Sequence, residues 1–282
     1  MASRMAGQPI LVLGSTGRVG RRVVAALRSA GATVRAASRA GPVRFDWAEP
    51  ETWRPALAGA GAVFLMAPDG VEVAPGFVEE AAALGVPRVV LLSSDSIEAM
   101  GDERLLSAER LVRASGVPSW TILRPRWFNQ NFDEGFFRPA VLAGRVTLPV
   151  GDTRQGFVDA SDIAAVAAKA LTTDGHEGRT YTLTGPDSLS FAEAVATIAQ
   201  SSGRRVEFAG DAETYAEEQA ALGRPPSEVD AEIAAFAALA DLGDAVPTDD
   251  ITHVTGRPAR TFTAYAEAAA AAGAWKEPPT TA

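Results

Sequence analysis

Three glycines recur at intervals of three residues near the start of the chain, and this turn carries the clearest chemical signal in the sequence. The apolar run at residues 10–13 predicts a buried strand before it, and the residues after it repeat at helical spacing. Glycines at such a junction allow a tight turn, a close approach of backbone to a pyrophosphate, and packing of helix on strand. The helix N-terminus adds free N–H groups and a positive dipole. The intervals differ from the G-x-G-x-x-G form, but this context predicts a dinucleotide site formed by Gly14, Ser15, Thr16, Gly17, Arg18, Val19 and Gly20.

The end of the second predicted strand, residues 33–37, bears on which dinucleotide binds. Enzymes that use NAD place an acid there for the ribose 2′-hydroxyl, whereas this chain continues with Ser38 and Arg39. Arg39 is expected to pair with a 2′-phosphate, with a hydrogen bond from Ser38, and Arg18 is expected to approach the same phosphate. Residues 1–60 also hold nine arginines against three acids. NADPH is therefore the predicted cofactor and NADH the less favoured one, unless Arg39 is only a solvated surface residue.

Further cofactor contacts are predicted where later strands end, because ligands of open α/β sheets bind at the carboxyl ends of the strands. Asp46 is expected to accept a hydrogen bond from the adenine amino group, with Trp47 packed nearby. An ordinary loop aspartate is the alternative. The contacts expected around the ribose, the nicotinamide and the reacting centre are Met66, Ala67, Pro68 and Ser93, within walls formed by residues 66–68, 93–96 and 124–131.

Strands and helices alternate along the first half of the chain. The predicted strands cover residues 10–13, 33–37, 43–45, 62–66, 89–92 and 120–123, with helices at 18–30, 75–84 and 103–115. Continuous apolar strands are buried on both faces, and their alternation with helices implies right-handed crossovers. The pattern predicts an α/β fold built on a Rossmann-type doubly wound parallel sheet.

The alternation breaks after Pro125, where the sequence becomes rich in aromatic residues. We expect an NAD(P)-binding Rossmann domain over residues 1–128 and a smaller, mainly helical substrate-binding region over residues 129–282. Residues 156–184 of that region are expected to return to the Rossmann sheet, through strands at 157–158 and 180–183 that flank a helix at 161–171. Helices are also expected from Ser190, which forms a capping box with Glu193, to 201, over most of 211–242 and at 262–272, with a frayed end at 277–282.

Composition excludes several classes of function. The 282 residues include no cysteine and two histidines, so disulfides, thiolate metal sites and a histidine-rich zinc site are excluded, and no metal is expected. The net charge of −9 argues against nucleic acid and anionic membranes as partners. No apolar run reaches the roughly 18–20 residues of a membrane helix, and residues 1–8 lack the apolar core of a signal peptide. We therefore expect a cytoplasmic protein, whose oligomeric state the sequence leaves open.

Six segments, at residues 14–20, 89–94, 115–125, 127–131, 157–164 and 181–186, carry a family resemblance. Through them the chain resembles the atypical short-chain dehydrogenase/reductases of the NmrA-like group over nearly its whole length. Residues 45–47 and 94–98 also resemble the agroclavine-dehydrogenase-like reductases, and that likeness implies reduction of cyclic iminium ions with NADPH. Type 2 quinone oxidoreductases are similar neighbours, as are redox-sensing members without known turnover.

The chain departs from the short-chain family at the catalytic pair, which is a tyrosine followed four residues later by a lysine. The tyrosines here are Tyr181, Tyr215 and Tyr265, and the residues four later are Gly185, Gln219 and Ala269. The lysines are Lys169 and Lys276, and neither residue type occurs in the predicted helix at 103–115. A tyrosine acid assisted by lysine is therefore absent, and the lysine of the isoflavone-reductase-like relatives has no counterpart on this helix.

The chemistry must then proceed with little proton donation or use another donor. An iminium already carries its activating charge, so the protein need only position the partners. If a donor is required, Asp95 and Ser93 are the candidates by position, although Asp95 also fits a role in capping the following turn. Arg124 is expected to bind a substrate carbonyl or carboxylate, unless it is structural. The apolar, aromatic substrate implied by residues 127–137 is expected to contact Arg124, Trp127, Phe128 and Asn131.

Three functions stay open at this point. The leading one is an NADPH-dependent reductase of secondary metabolism that delivers hydride to a small apolar iminium, quinone or enone. The second is a non-catalytic NADP(H)-sensing regulatory protein, which would bind the dinucleotide without oxidising it. The third is a non-redox isomerase or cyclase, whose turnover would be indifferent to NADPH.

Replacing Arg39 with aspartate tests the prediction of a 2′-phosphate site. The substitution exchanges pairing for repulsion, so the affinity for NADPH should fall by at least about tenfold. Fluorescence titration of the purified protein with NADPH and NADH measures the effect, and NADH affinity serves as the internal control. An unchanged affinity for NADPH would remove Arg39 from the site.

Overall fold

The computed structural model describes residues 7–276, and its strands and helices alternate in the predicted order. The strands are Ile10–Val12 (β1), Val34–Ser38 (β2), Val43–Arg44 (β3), Ala62–Leu65 (β4), Arg88–Leu92 (β5), Ser119–Pro125 (β6), Trp127–Phe128 (β7), Arg145–Thr147 (β8), Gln155–Val158 (β9), Arg179–Leu183 (β10), Ser188–Leu189 (β11) and Glu207–Ala209 (β12). The helices are Arg18–Ser29 (α1), Trp53–Leu57 (α2), Pro75–Ala83 (α3), Glu103–Ala114 (α4), Arg138–Ala143 (α5), Ala160–Thr172 (α6), Phe191–Ser202 (α7), Ala212–Ala221 (α8), Pro226–Ala240 (α9), Asp250–Thr255 (α10) and Phe262–Ala271 (α11).

Seven strands form one parallel sheet in the order β3-β2-β1-β4-β5-β6-β10. The order reverses between β1 and β4, so the carboxyl ends of these two strands flank the crevice where ligands of such sheets bind. This topology confirms the predicted Rossmann-type doubly wound sheet.

The sheet buries both of its faces, as the apolar strands predicted. Successive residues of a strand point to opposite faces, and β1 supplies both layers. Val12 packs with Phe64 in a buried cluster that includes residues of α1 and α6. Leu11 packs with Val63 in a second cluster that includes residues of α3 and α4. Helices therefore cover both faces, and the glycine turn lies where β1 emerges from between them.

The strand at Gln155–Val158 does not return to the main sheet, contrary to expectation. β9 pairs instead with β7 and β11 in a separate three-stranded sheet, with Trp127 opposite Phe157. Of the segment at 156–184, β10 alone joins the main sheet, at the edge of β6. Phe157 packs among Phe132 and Phe191, and burial of this ring explains the apolar run. An apolar run predicts a buried strand but does not identify its partner.

Aromatic packing holds the region after β6 together. Phe132 is fully buried and lies 5.7 Å from Phe262 of α11 and 5.0 Å from Phe137, measured between ring centroids. The indole N–H of Trp275 donates to the carbonyl oxygen of Phe132 at 2.8 Å. α7 and α11 cover this core, so a third cluster, separate from the two on the faces of the main sheet, supports the C-terminal half.

The remaining helical predictions also fit the structure. The capping box of Ser190 and Glu193 is formed at the start of α7, and α8 and α9 run through the acid-rich stretch. The end at 277–282, predicted to fray, lies outside the described residues. Between residues 7 and 276, no helix has both the length and the apolarity needed to cross a membrane.

Replacing Phe132 with alanine should destabilise the protein strongly. The side chain is 0% exposed, and emptying such a site costs about 3–5 kcal/mol of the free energy of unfolding. Phe136→Ala is the matched control, because that ring is 60% exposed and its loss should cost less than about 1 kcal/mol. Denaturant unfolding measures both, and equal costs would contradict the assigned core.

Candidate active site

The glycine turn between β1 and α1 has the shape that a dinucleotide requires. Gly14 has a φ of +61°, and a Cβ on it would lie 2.4 Å from the sulfur of Met66. A Cβ on Gly20 would lie 2.1 Å from the carbonyl oxygen of Gly14, so only glycine lets α1 pack this closely on β1. Gly17 is exposed, and a Cβ on it would meet only the Gly14 oxygen, at 3.2 Å. The turn is therefore open on the Gly17 side, where a pyrophosphate fits the N-terminus of α1.

A groove of about 400 Å³ lies between α1 and β2 beside this turn. Ser15, Thr16 and Ser38 line it, as do Arg21 and Arg28 of α1. It combines hydroxyl groups with two arginines, of which Arg21 is also paired with Glu134, and this set suits a phosphate on a ribose. Sequence reasoning identified the three hydroxyl residues but missed the arginines. Their spacing of seven residues, which places both on one face of α1, was the available signal.

Arg39 and Arg18 do not line that groove. Arg39 is exposed just after β2, so its contact with a 2′-phosphate stays a prediction. Arg18 points the other way, because its Nη1 donates to the side-chain oxygen of Asn131 at 2.6 Å. This contact directs its guanidinium to the substrate region rather than to the groove that Ser38 lines. The expected approach of Arg18 to the 2′-phosphate is therefore not what the structure shows.

A larger cavity of about 560 Å³ lies beyond the carboxyl ends of β5 and β6. Among the residues predicted for the site, Arg18, Asp95, Trp127, Phe128 and Asn131 line it. Ser93, Arg124, Met66, Ala67 and Pro68 do not. The rest of its lining is Asp69, Ser94, Ser96, Ile97, Met100, Asp102, Arg104, Leu105, Arg126, Phe136, Gln155 and Leu239.

Asp95 is held in the cavity wall by an arginine. Its carboxylate forms an ion pair with Nε of Arg126 at 2.7 Å and accepts a hydrogen bond from the hydroxyl of Ser96 at 3.1 Å. These contacts suit a carboxylate that accepts hydrogen bonds, so they give no support to Asp95 as a proton donor. Its catalytic role stays a prediction.

Ser93 and Arg124 are tied to a buried acid that sequence reasoning missed. The Ser93 hydroxyl donates to Glu109 at 2.6 Å, and Nε and Nη2 of Arg124 donate to the same carboxylate at 2.7 Å. Glu109 is 0% exposed. Burial would raise the pKa of Glu109, but the hydrogen bonds from Arg124 and Ser93 outweigh it and hold the pKa below its usual range. The sequence feature that could have indicated this buried acid is its position on α4, on the same buried face as Ala108 and Val112.

These contacts give Arg124 and Ser93 structural roles. Arg124 is also paired with Glu98 at 2.8 Å, and its pKa is raised, first by the hydrogen bond to Glu109. The guanidinium of Arg124 is held by two carboxylates and lies outside the cavity lining. Its contacts connect β6 to α4, and none of them places it against a substrate in the cavity. The predicted binding of substrate by Arg124, and the predicted proton donation by Ser93, stay untested.

The residues expected around adenine and ribose have local partners. Asp46 accepts a hydrogen bond from the backbone N–H of Ala48 at 3.0 Å, as an Asx turn does. Trp47 packs edge-on against Phe45 and Phe77, with ring centroids 5.0 and 5.1 Å away. Met66, the residue after β4, lies against Gly14, so the predicted nicotinamide site is next to the carboxyl end of β4.

The tyrosine hydroxyls are used elsewhere. The hydroxyl of Tyr181 is hydrogen-bonded to Nδ1 of His176, 2.9 Å away. The hydroxyl of Tyr215 donates to Oε2 of Glu232 at 2.7 Å. The hydroxyl of Tyr265 donates to Oδ1 of Asp133 at 2.8 Å. All tyrosines and lysines of the chain lie within residues 7–276, and none of them lines the larger cavity.

A glycine turn at the first strand-to-helix junction of a parallel sheet, with a cavity at the carboxyl ends of the strands, defines a dinucleotide-binding α/β protein. Residues 14–174 match the NAD(P)H-binding family, and the chain belongs to that family. The resemblance to atypical short-chain dehydrogenase/reductases of the NmrA-like type is confirmed.

Named relatives cover almost the whole chain. The uncharacterized oxidoreductase YesF of Bacillus subtilis is 36% identical over 95% of this chain and 97% of its own. The NAD(P)H azoreductase of Xenophilus azovorans is 36% identical over 93% of this chain and 98% of its own. An NADPH-dependent quinone oxidoreductase of Escherichia coli, solved with NADPH, shares the fold with a TM-score of 0.72 over 92% of this chain and 98% of that one, at 19% identity. With the family match, the two relatives identify this chain as an NAD(P)H-dependent oxidoreductase.

A pair of valine substitutions separates the two roles of glycine in the turn. Gly17→Val should leave a folded protein that no longer binds NADPH, because its side chain enters the space beside the α1 N-terminus. Gly20→Val should prevent folding, since its Cβ would clash with the Gly14 carbonyl. Circular dichroism and NADPH titration measure the two outcomes. Retained NADPH binding in folded Gly17→Val would make that glycine purely structural.

Proposed function

We propose that this chain reduces a small apolar molecule of the quinone, enone or iminium type by hydride transfer from NADPH, without a tyrosine–lysine pair. The observation that carries the proposal is the larger cavity, which has an aromatic wall and reaches Arg18 of the glycine turn. A substrate there would lie next to the end of a dinucleotide bound on α1. The absence of tyrosine and lysine from its described lining supports chemistry that needs no such acid.

The chain's own residues would hold the cofactor along the edge of the sheet. The open side of Gly17 and the N-terminus of α1 would bind the pyrophosphate, and Met66, Ala67 and Pro68 would lie under the nicotinamide side. The groove with Ser38 and Arg28 supports NADPH over NADH, because a guanidinium beside hydroxyl groups favours an extra phosphate. When bound, the nicotinamide supplies a hydride.

The cavity wall favours an aromatic or otherwise apolar substrate body. Trp127, Phe128 and Phe136 line it. Ile97 and Met100, from the segment after β5, also line it. Leu239 of α9 completes the wall, so the acid-rich helices contribute an apolar side chain to the site. Such surfaces exclude water and hold a flat substrate against the reacting face. The azo compound implied by the name of the Xenophilus relative fits the same description.

The proposed activity is tested by following NADPH oxidation with one member of each substrate class. Menadione, 2-cyclohexenone and a cyclic N-methyl iminium ion are added separately to the purified protein. We expect at least one to raise the oxidation rate about tenfold or more over the rate without substrate, and Gly17→Val to abolish the increase. Val246→Ala, at a side chain that is 78% exposed, is the control and should retain it. NADPH binding with no oxidation by any class would refute the proposal and favour a sensor.

A further inference from the structure

Two carboxamide side chains in the cavity wall are almost fully buried. Gln155 at the start of β9 is 1% exposed, and Asn131 is 8% exposed. Both line the larger cavity. Buried polar groups are costly unless they are hydrogen-bonded, so the partners of each amide decide which hydrogen bonds it can still make to a ligand.

The neighbours of these amides fix which end faces the cavity. The indole N–H of Trp127 can only donate, and it donates to Oε1 of Gln155 at 3.3 Å. The guanidinium of Arg18 can only donate, and it donates to Oδ1 of Asn131 at 2.6 Å. Each carboxamide oxygen is thus occupied. Among residues 7–276, neither Nε2 of Gln155 nor Nδ2 of Asn131 has a hydrogen-bond partner.

Arg126 adds further donors to the same wall. Its Nε faces the carboxylate of Asp95, and its terminal nitrogens have no partner in the described part of the chain. Its Cδ lies 3.0 Å from the Cβ position of Gly156, so its stem runs along β9 beside Gln155. The acids of the buried wall are already engaged, because Asp95 pairs with Arg126 and Asp102 caps α4 through the N–H of Leu105. Asp69, the remaining acid of the described lining, is exposed at the mouth of the cavity. The unused hydrogen-bonding capacity of the buried wall is therefore donor capacity.

We propose that the carboxamide N–H groups of Gln155 and Asn131, with the guanidinium of Arg126, bind a carbonyl oxygen of the substrate. This inference rests on the proposed hydride transfer and specifies its substrate class. The substrate is a conjugated carbonyl compound, an enone or a quinone, rather than a cyclic iminium ion.

The donors serve the charge that appears during the reaction. In an enone, hydride adds to the β-carbon, forming a new C–H bond, and the π electrons shift to leave an enolate oxygen. In a quinone, hydride adds to one carbonyl oxygen, forming an O–H bond, and the π electrons shift through the ring to leave a phenolate on the other oxygen. The N–H groups stabilise that negative oxygen. A water molecule then supplies one proton, to the α-carbon of an enone or to the oxygen of a quinone. The substrate gains two electrons and two hydrogens, and the step needs neither tyrosine nor lysine. A cationic iminium offers these donors no acceptor.

A binding measurement tests the donor site without turnover. 4-Nitrophenol is titrated by absorbance in the protein saturated with NADP⁺, because its phenolate resembles the charged oxygen. Hydrogen bonds to a charged oxygen should lower the pKa of bound nitrophenol by about one unit or more. Gln155→Met and Asn131→Leu, which keep size and remove the donors, should each reverse part of the shift. The positive nicotinamide ring acts equally on every variant.

Controls separate the donor role from a structural one. Gln219→Met makes the same change on α8, outside the cavity, and should leave the nitrophenol pKa as in the unaltered protein. Gln155→Glu replaces the donor with an acceptor of the same size and should raise the pKa further than Gln155→Met. This variant also serves if Gln155→Met does not fold. Thermal melting checks the folding of each one.

The outcomes distinguish this proposal from the proposed function. A nitrophenol pKa that is equal in the unaltered protein and both donor variants, or no binding of nitrophenol, would overturn the donor site. Weaker NADPH binding in the variants with no change at nitrophenol would assign the amides to the cofactor and also overturn it. A pKa shift that depends on the amides, without NADPH oxidation by menadione or 2-cyclohexenone, would leave the donor site standing and refute only the reductase.

Discussion

The close approach of α1 to β1 at the Gly14–Gly20 contact is the constraint on which the site depends. It places the first turn of α1 at the carboxyl edge of the sheet, with its N–H groups directed at the crevice. In the first turn of α1, Arg18 donates a hydrogen bond to Asn131. One helical turn later, Nη2 of Arg22 lies 2.8 Å from Oε1 of Glu134. One helix thus shapes the phosphate site and anchors the segment that forms the cavity wall. A bulkier residue at Gly20 would displace both together.

Buried ionic groups hold the remaining walls in place. Glu109 gathers Ser93 and Arg124 and so connects β5, β6 and α4. Asp159 accepts from Gln130 and pairs with Arg260 at 3.1 Å, connecting α6 to the segment after β7. Removing one partner from such a group leaves a buried charge uncompensated, which is strongly destabilising. These acids therefore fix where β6 and the following aromatic segment lie relative to the glycine turn.

Local patterns in the sequence predicted most of the sheet and part of the site. The glycine spacing and the apolar runs are local signals, so β1, α1 and the doubly wound order followed from them. The partner of β9 did not, because the apolar run around Phe157 fits any buried strand. Arg124 was expected at the substrate and Ser93 at the reacting centre since they end strands, but both are held by Glu109 on α4, a buried acid that the local pattern did not single out. Gln155 was missed because only the pairing of β9 with β7 brings it beside Trp127.

The absence of cysteine from the chain has a chemical consequence for the proposed substrate class. Quinones and enones are electrophiles that alkylate thiolates, the most nucleophilic side chains in proteins at neutral pH. This chain has no cysteine, and its two lysines lie outside the cavity lining. A conjugated carbonyl compound in the aromatic cavity therefore meets amides, guanidinium groups and carboxylates, but no thiol to trap it. With the proposed substrate class, such a cavity would resist covalent inactivation by the molecule that it binds.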